Sequence, residues 1–289
     1  MRPLFSTFAP LVAFASFASA QSAYLPAPGK LDASTLVSYQ RARDFYALGD
    51  VRFTLPDPLE QHTARADLGY GLAESWALDA SFGWSTVHYK ESATLAPGLF
   101  LLENGKKRRS GLIDTRLGLR HTLVDEFASL SEATPTLTAR VGAIIPGTYD
   151  TGFINAVGDG AAGVELGLHA AKTFAGTGSA VFGDLTWRGY AENVPDAVEA
   201  AVGVSQQVRS AVFTIGLRHL ESLDGMDILG PGFTGIGSFS DVKEINTSLE
   251  LGLSLPLGPV TAGLGFARTL TGENTPVKSV YSLALGASF

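Results

Sequence analysis

Five histidines, at positions 62, 88, 121, 169 and 219, are the side chains best able to move protons near neutral pH. No two of them stand four apart, as a helical zinc pair would. No Gly-x-Ser-x-Gly elbow occurs, and no His lies close to a Ser-Asn-Gly string; His169 alone is expected to point inward, close to Glu165 and beside a serine. Asp150, Asp159, Asp224 and Asp227 lie in glycine-containing loops, where they could ligate Ca²⁺ or simply form turns. The larger set of chemically able residues is charged and falls at alternate positions of apolar segments: Arg65, Asp67, Asp79, Asp114, Arg116, Arg120, Arg140, Glu165, His169, Asp184, Arg188, Glu199, Arg218, Glu244 and Glu250. If these face one interior, they form either a polar conduit whose charges select solutes or a mesh of ion pairs that braces a narrow barrel. No cofactor and no metal is implied.

Strands must position such residues. Ile245, Leu249, Leu251, Leu253 and Leu255 alternate with Asn246, Ser248, Glu250, Gly252 and Ser254. Trp76, Leu78, Ala80, Phe82 and Trp84 alternate with Ala77, Asp79, Ser81, Gly83 and Ser85. Successive strand side chains point to opposite faces, so each segment has one apolar and one small or polar face. Twelve strands are predicted, at 33–42, 62–72, 76–90, 109–122, 135–145, 160–173, 178–190, 197–205, 208–220, 242–256, 259–270 and 277–289. Repetition of this two-faced pattern defines the expected fold class, all-β, a transmembrane antiparallel barrel with polar residues inside. His88, His121 and His219 then fall on the lipid face. Tyr70, Trp76, Trp84, Tyr89, Trp187, Tyr190 and Tyr281 fall near strand ends, where amphipathic rings suit a membrane interface.

Composition agrees. The chain has 33 glycines, 17% charged residues and a mean hydropathy of +0.18, yet no apolar run after residue 20 reaches the length of a spanning helix. Cysteine is absent, which excludes disulfides, thiolate metal sites, cysteine nucleophiles and a lipoprotein anchor. A net charge of −7 argues against nucleic acid as a partner.

Both ends carry signals. Arg2, an uncharged apolar stretch from Leu4 to Phe17 and the small-x-small sequence Ala18-Ser19-Ala20 predict a secretory leader over 1–20, with the barrel occupying 21–289. The final segment alternates to a terminal aromatic, and Tyr281 and Phe289 resemble the signal that Gram-negative barrels present to their assembly machinery. Connections alternate long and short, as a barrel with short periplasmic turns requires. Val124–Thr134 is the exception, a long connection where a short one is due. Before the first strand, Pro26, Pro28 and Gly29 prevent regular structure, and the apolar Tyr24 and Leu25 are candidates to fold inward as a plug; the alternative is a loose leader. Lys106, Lys107, Arg108 and Arg109 form a cationic run suited to lipopolysaccharide phosphates, or to a solvated loop.

The stretch Tyr24-Leu25-Pro26-Ala27-Pro28-Gly29-Lys30, the Asp-Phe-Tyr-x-x-Gly-Asp sequence at 44–50, Arg65–Leu72 and Trp76-Ala77-Leu78 together resemble the outer-membrane family designated "MetA-pathway of phenol degradation". That resemblance implies a barrel admitting aromatic and other hydrophobic compounds, and no catalytic residues. Three functions are in view: passive passage of small, apolar or aromatic solutes across the outer membrane; a closed structural or adhesive barrel acting through loops at Gly225–Ser240 and Glu91–Arg109; and a barrel hydrolase. The expected partners are outer-membrane lipid, lipopolysaccharide, the barrel assembly machinery and a small-molecule solute.

Overall fold

A computed structural model describes residues 23–47, 51–90, 94–96, 99–100, 105–174 and 176–289. The leader expected over 1–20 lies outside these residues, as does much of 91–104.

The main sheet closes on itself. In chain order its strands are β1 (Leu31–Tyr46), β2 (Arg52–Ala73), β3 (Trp76–Tyr89), β6 (Arg108–Leu112), β7 (Thr115–Val124), β8 (Thr136–Ile145), β9 (Gly163–Phe174), β10 (Ser179–Tyr190), β11 (Ala197–Val208), β12 (Ala211–Ser222), β13 (Ile245–Leu257), β14 (Val260–Glu273) and β15 (Thr275–Ser288). A small separate hairpin, β4 (Thr94–Ala96) with β5 (Leu99–Phe100), lies in the β3–β6 connection. β6 and β7 both pair with β3 and make one interrupted wall strand, so the barrel has twelve antiparallel staves. β15 returns to β1 with Asp32 opposite Ser288 and Tyr39 opposite Tyr281, which closes the ring. Closure leaves no unpaired edge for lipid to meet.

The alternation read from the sequence sorts the two faces. Leu78, Phe82, Trp84, Val141, Leu166, Leu185, Val202, Ile215, Leu251, Leu264 and Leu283 stand exposed on the outer wall, while Arg120, Thr138, Arg140, Glu165, His169, Arg188 and Arg218 are buried inside. An apolar exterior around a polar interior is the reverse of a soluble barrel and matches one solvated by lipid. His121 is on the outer face, stacked 4.1 Å from Trp76, and His219 bonds Thr247 beside it.

Four expectations change. The strands predicted at 33–42 and 62–72 extend much further, to Tyr46 and from Arg52, where a loop over 43–61 was expected. Pro56 and Pro58 fall in a register jump between the Ala42–Leu59 and Asp44–Thr54 pairs, where no ladder donor is needed. The predicted 109–122 strand breaks at Ile113–Asp114. The expected tight turn at 205–207 moves to 209–210, because β11 runs to Val208. Tyr89 and Tyr190 do not girdle the exterior: Tyr89 is fully buried within the barrel and Tyr190 lines an internal cavity.

One end carries the two-residue turns at 74–75, 209–210 and 258–259, both described chain ends and the long 125–135 connection. The other carries the longer connections 90–107, 146–162 and 223–244.

Candidate functional site: the barrel lumen

The lumen has three tiers. At the end near the termini, residues 23–30 lie across the opening. Gly29 N donates to Gly71 O at 2.8 Å and Gly71 N donates to Lys30 O at 3.0 Å, fastening the segment to β2. Further back, the Thr138 hydroxyl of β8 donates to Ala23 O at 2.6 Å. The Tyr24 hydroxyl donates to Glu126 at 2.5 Å and meets the Thr173 hydroxyl at 2.8 Å. The strip therefore runs from β2 to β8 and β9, with Pro26 buried and Leu25 half-buried beneath it. Gly71 is required for this crossing, since a Cβ there would lie 2.2 Å from Ala27 O and 2.5 Å from Pro26 O. Burial and then the Glu126 hydrogen bond push the Tyr24 phenol up. For Glu126, burial opposes the charge, but hydrogen bonds from Tyr24, Lys172 and Thr173 outweigh it and hold its pKa below the usual range.

The middle tier is ionic on one side. Asp79 pairs with Arg140 at 2.8 Å, Arg140 with Glu165 at 2.6 Å, Glu165 with Arg188 at 2.8 Å, Arg188 with Glu199 at 3.3 Å, Glu199 with Arg218 at 2.5 Å and Arg218 with Glu250 at 2.7 Å. One residue each from β3, β8, β9, β10, β11, β12 and β13 makes this unbroken chain. β7 adds Arg120, 3.4 Å from Asp79, and Arg116, 3.5 Å from Glu165. Each acid in the series meets at least one guanidinium, and the fork geometry of Arg lets it bridge two carboxylates. Charges withdrawn from water are tolerable only with such pairing. His169 and Asp184 form a separate pair at 2.6 Å, with Thr138 opposite His169 in the ladder rather than a serine. The Thr138 hydroxyl is given to Ala23 O.

The other side of the same tier carries fewer charges. β1, β2, β13, β14 and β15 supply Leu36, Ser38, Gln40, Thr63, Ser248, Ala267, Thr269, Lys278 and Ser282 to a cavity of about 380 Å³, which the ionic side closes with Glu199, Arg218 and Glu250. Arg65 also lines it and is satisfied by Asp67 at 2.9 Å.

The third tier lies beneath the long loops. Ala42, Leu55, Leu59, Val87 and Tyr89 form a buried apolar cluster on which Ile154, Val157 and Phe239 pack from the 146–162 and 223–244 loops. Phe45, Ile228 and Phe233 form a second. The loops join where Gly237 N donates to Gly152 O at 2.7 Å, and a Cβ at Gly152 would come 2.7 Å from Gly237 Cα. Arg109 sits 3.4 Å above the Phe153 ring and bonds Asp150 and Asn155. The cationic run is thereby divided: Lys106 and Arg109 are tied to Asp150, and Arg109 is only 2% exposed. Asp114, expected as a lumen charge, sits at the strand break and accepts from Gly147 N at 2.9 Å and Tyr149 OH at 2.5 Å. Below this cap is a cavity of about 260 Å³ walled by Phe45, Phe153, Phe239 and Leu220, with Asp159, Arg188, Tyr190 and Glu244 among its polar lining. Glu244 accepts from Thr275 at 2.5 Å and lies 3.7 Å from Lys278. Alternation does not mark Asp159 and the inward loops as site features, because a loop has no period to project, and Lys278 on β15 is a further lumen charge outside the expected set. On the outer wall, Tyr281 and Phe289 are exposed, and Phe289 N donates to Leu31 O at 2.9 Å.

These features define a twelve-stranded transmembrane barrel with a polar, ion-paired interior, restricted at both ends. No family model matches the chain, and no curated protein matches it. Among solved structures it is similar to the COG4313 outer membrane channel from Pseudomonas putida F1, with a TM-score of 0.71 and 18% identity over 95% of this chain and 100% of that one. At a TM-score of 0.49 and 12% identity it is similar to the translocator domain of the autotransporter NalP from Neisseria meningitidis, over 90% of this chain and 88% of that one. The Pseudomonas putida toluene transporter TodX gives a TM-score of 0.47 and 11% identity, over 94% of each chain. The first likeness shows a shared fold.

Proposed function

We propose that this chain is an outer-membrane barrel for passive movement of small solutes with apolar or aromatic bodies. The carrying observation is the pair of cavities, about 260 Å³ and about 380 Å³, stacked along the lumen and sharing Leu220 in their walls. Arg188 lines the first and Glu199 and Arg218 the second, so the ion pairs among them stand where a solute changes chamber. A solute there can follow the hydroxyl- and amide-lined side while the paired charges keep their partners. Phe45, Phe153 and Phe239 in the first wall support an aromatic body, as does the sequence resemblance to the phenol-pathway family. Membership of that family is part of this proposal. At His169 the ladder neighbour is Thr138, its hydroxyl given to Ala23 O, which supports transport over hydrolysis. The test is solute entry into liposomes carrying the purified barrel, comparing small aromatic solutes with sugars of similar size.

A second reading, a closed barrel acting through its loops, is favoured by the cap of inward-packed loops and the strip at the opposite end. Liposomes separate the two, since a closed barrel admits neither solute class.

In this account, Tyr281 and Phe289 engage the assembly machinery, and the wall meets membrane lipid. For lipopolysaccharide phosphates, the outward Arg41 and Arg268 are better placed than 106–109. They flank Ser279 in the ladder, on the lipid-facing side.

A further inference from the structure

The first chamber contains a charge without a counterion. Asp159 lines its wall, is open to its interior and has no hydrogen bond or ion pair among the described residues. The other charged groups of the chamber are committed: Arg188 to Glu165 and Glu199, and Glu244 to Thr275 and Lys278. The rest of the lining sets three phenylalanines among polar groups, including Tyr190, Ser222, Ser240 and Asn274. Asp159 is itself exposed, and a carboxylate that faces phenyl rings with no cation beside it attracts one.

We infer that the chamber is a binding site for small organic cations, an ammonium group on an aromatic or aliphatic body, with Asp159 as the counterion and Phe45, Phe153 and Phe239 as the apolar walls. This deepens the transport reading and rests on it only for the direction of movement. A metal ion fits less well: among the described residues no three His, Cys, Asp or Glu side chains converge, and a hydrated cation gains nothing from phenyl walls. An ammonium gains a charge-assisted hydrogen bond from the acid and attraction from the ring faces. An organic anion meets Asp159 and Glu244 unfavourably.

Geometry also gives the site a pH dependence. The groups acting on Asp159 are Asp114 and its partner Tyr149, Tyr190 and Arg188 on β10, Glu244 before β13 and Lys278 on β15. Enclosure first, then Glu244 and Asp114, raise the Asp159 pKa, with Lys278 opposing. The carboxylate is therefore increasingly protonated below neutrality, and cation binding weakens there.

Titration calorimetry on the intact barrel in detergent, with benzylammonium, benzyl alcohol and benzoate as probes, tests this with one apolar body and three head charges. At pH 8, benzylammonium is expected to bind tightest, and Asp159→Asn to weaken it by roughly tenfold or more while leaving benzyl alcohol unchanged. At pH 5.5 the wild-type preference for benzylammonium should shrink. Equal binding of all three probes, or benzylammonium binding indifferent to Asp159→Asn, overturns the assignment. Binding needs no passage, so a barrel that binds benzylammonium yet admits no solute to liposomes keeps the site and loses the transport reading. One that admits aromatic solutes without this binding does the reverse.

Discussion

The Tyr24 hydroxyl donates a 2.5 Å hydrogen bond to the Glu126 carboxylate, joining positions 102 residues apart. It accounts for the one connection whose length breaks the long–short alternation. The 125–135 turn is long because it reaches under the opening to receive Tyr24, whose ring also lies 5.9 Å from that of Phe127. Tyr24→Phe should weaken docking of the strip by about 1.5–3 kcal/mol, the range for hydrogen bonds to charged groups. A double-mutant cycle with Glu126→Gln, read from proteolytic protection of residues 23–30, should show coupling between the two positions. Additive losses would mean the pair does not hold the strip.

Glu165 joins three arginines, at 2.6, 2.8 and 3.5 Å, and is 2% exposed. Glu165→Gln leaves Arg116, Arg140 and Arg188 facing one another without their shared acid. Breaking a buried pair by removing one partner typically costs about 3–5 kcal/mol. Unfolding of the reconstituted barrel in urea should show a loss of that order, and Arg65→Gln a smaller one, because Arg65 pairs only with the half-buried Asp67.

Much of this was legible beforehand, for a physical reason. Period-two alternation survives wherever one face meets lipid and the other water, so Trp76–Tyr89 and Ile245–Leu257 were placed to within a few residues. The alternation failed where other forces govern. Asp114 keeps the inward period of a lumen charge, but the strand breaks there and the acid is spent on Gly147 and Tyr149 of the inward loop. A loop is expected over 43–61, yet a register jump lets strand continue around Pro56 and Pro58. Asp159 is legible only as a loop acid suited to Ca²⁺ or a turn, because its place in the chamber depends on how the loops fold into the barrel.

Asp159 also predicts a pH effect on stability. Its folded pKa is raised to about 7, so the folded state holds its proton over a range where the unfolded chain, near 3.9, has released it. The folded state binds more protons, and this contribution to stability is therefore greatest below about pH 4 and declines as pH rises towards 7. Subtracting the Asp159→Asn profile from wild type should isolate a falling slope over that window. A rising or flat difference would contradict the assignment.

Arg109 ties the cap to the wall through Phe153, Asp150 and Asn155. Arg109→Ala should loosen the 146–162 loop and speed its cleavage by added protease, whereas Arg108→Ala, on the exposed side, should not. Equal cleavage of the two variants would show that the loop is held elsewhere.

The central claim is a passable lumen restricted by the strip at residues 23–30. Single-channel recording of the purified barrel in planar bilayers, wild type beside Gly71→Ala, tests it most directly. A methyl group at 71 displaces the strip through Pro26 and Ala27 while leaving the ion-pair chain intact. The account predicts small, discrete conductance steps for wild type and larger ones for Gly71→Ala. Correctly inserted barrels of both kinds that pass no current would contradict it and leave a closed barrel.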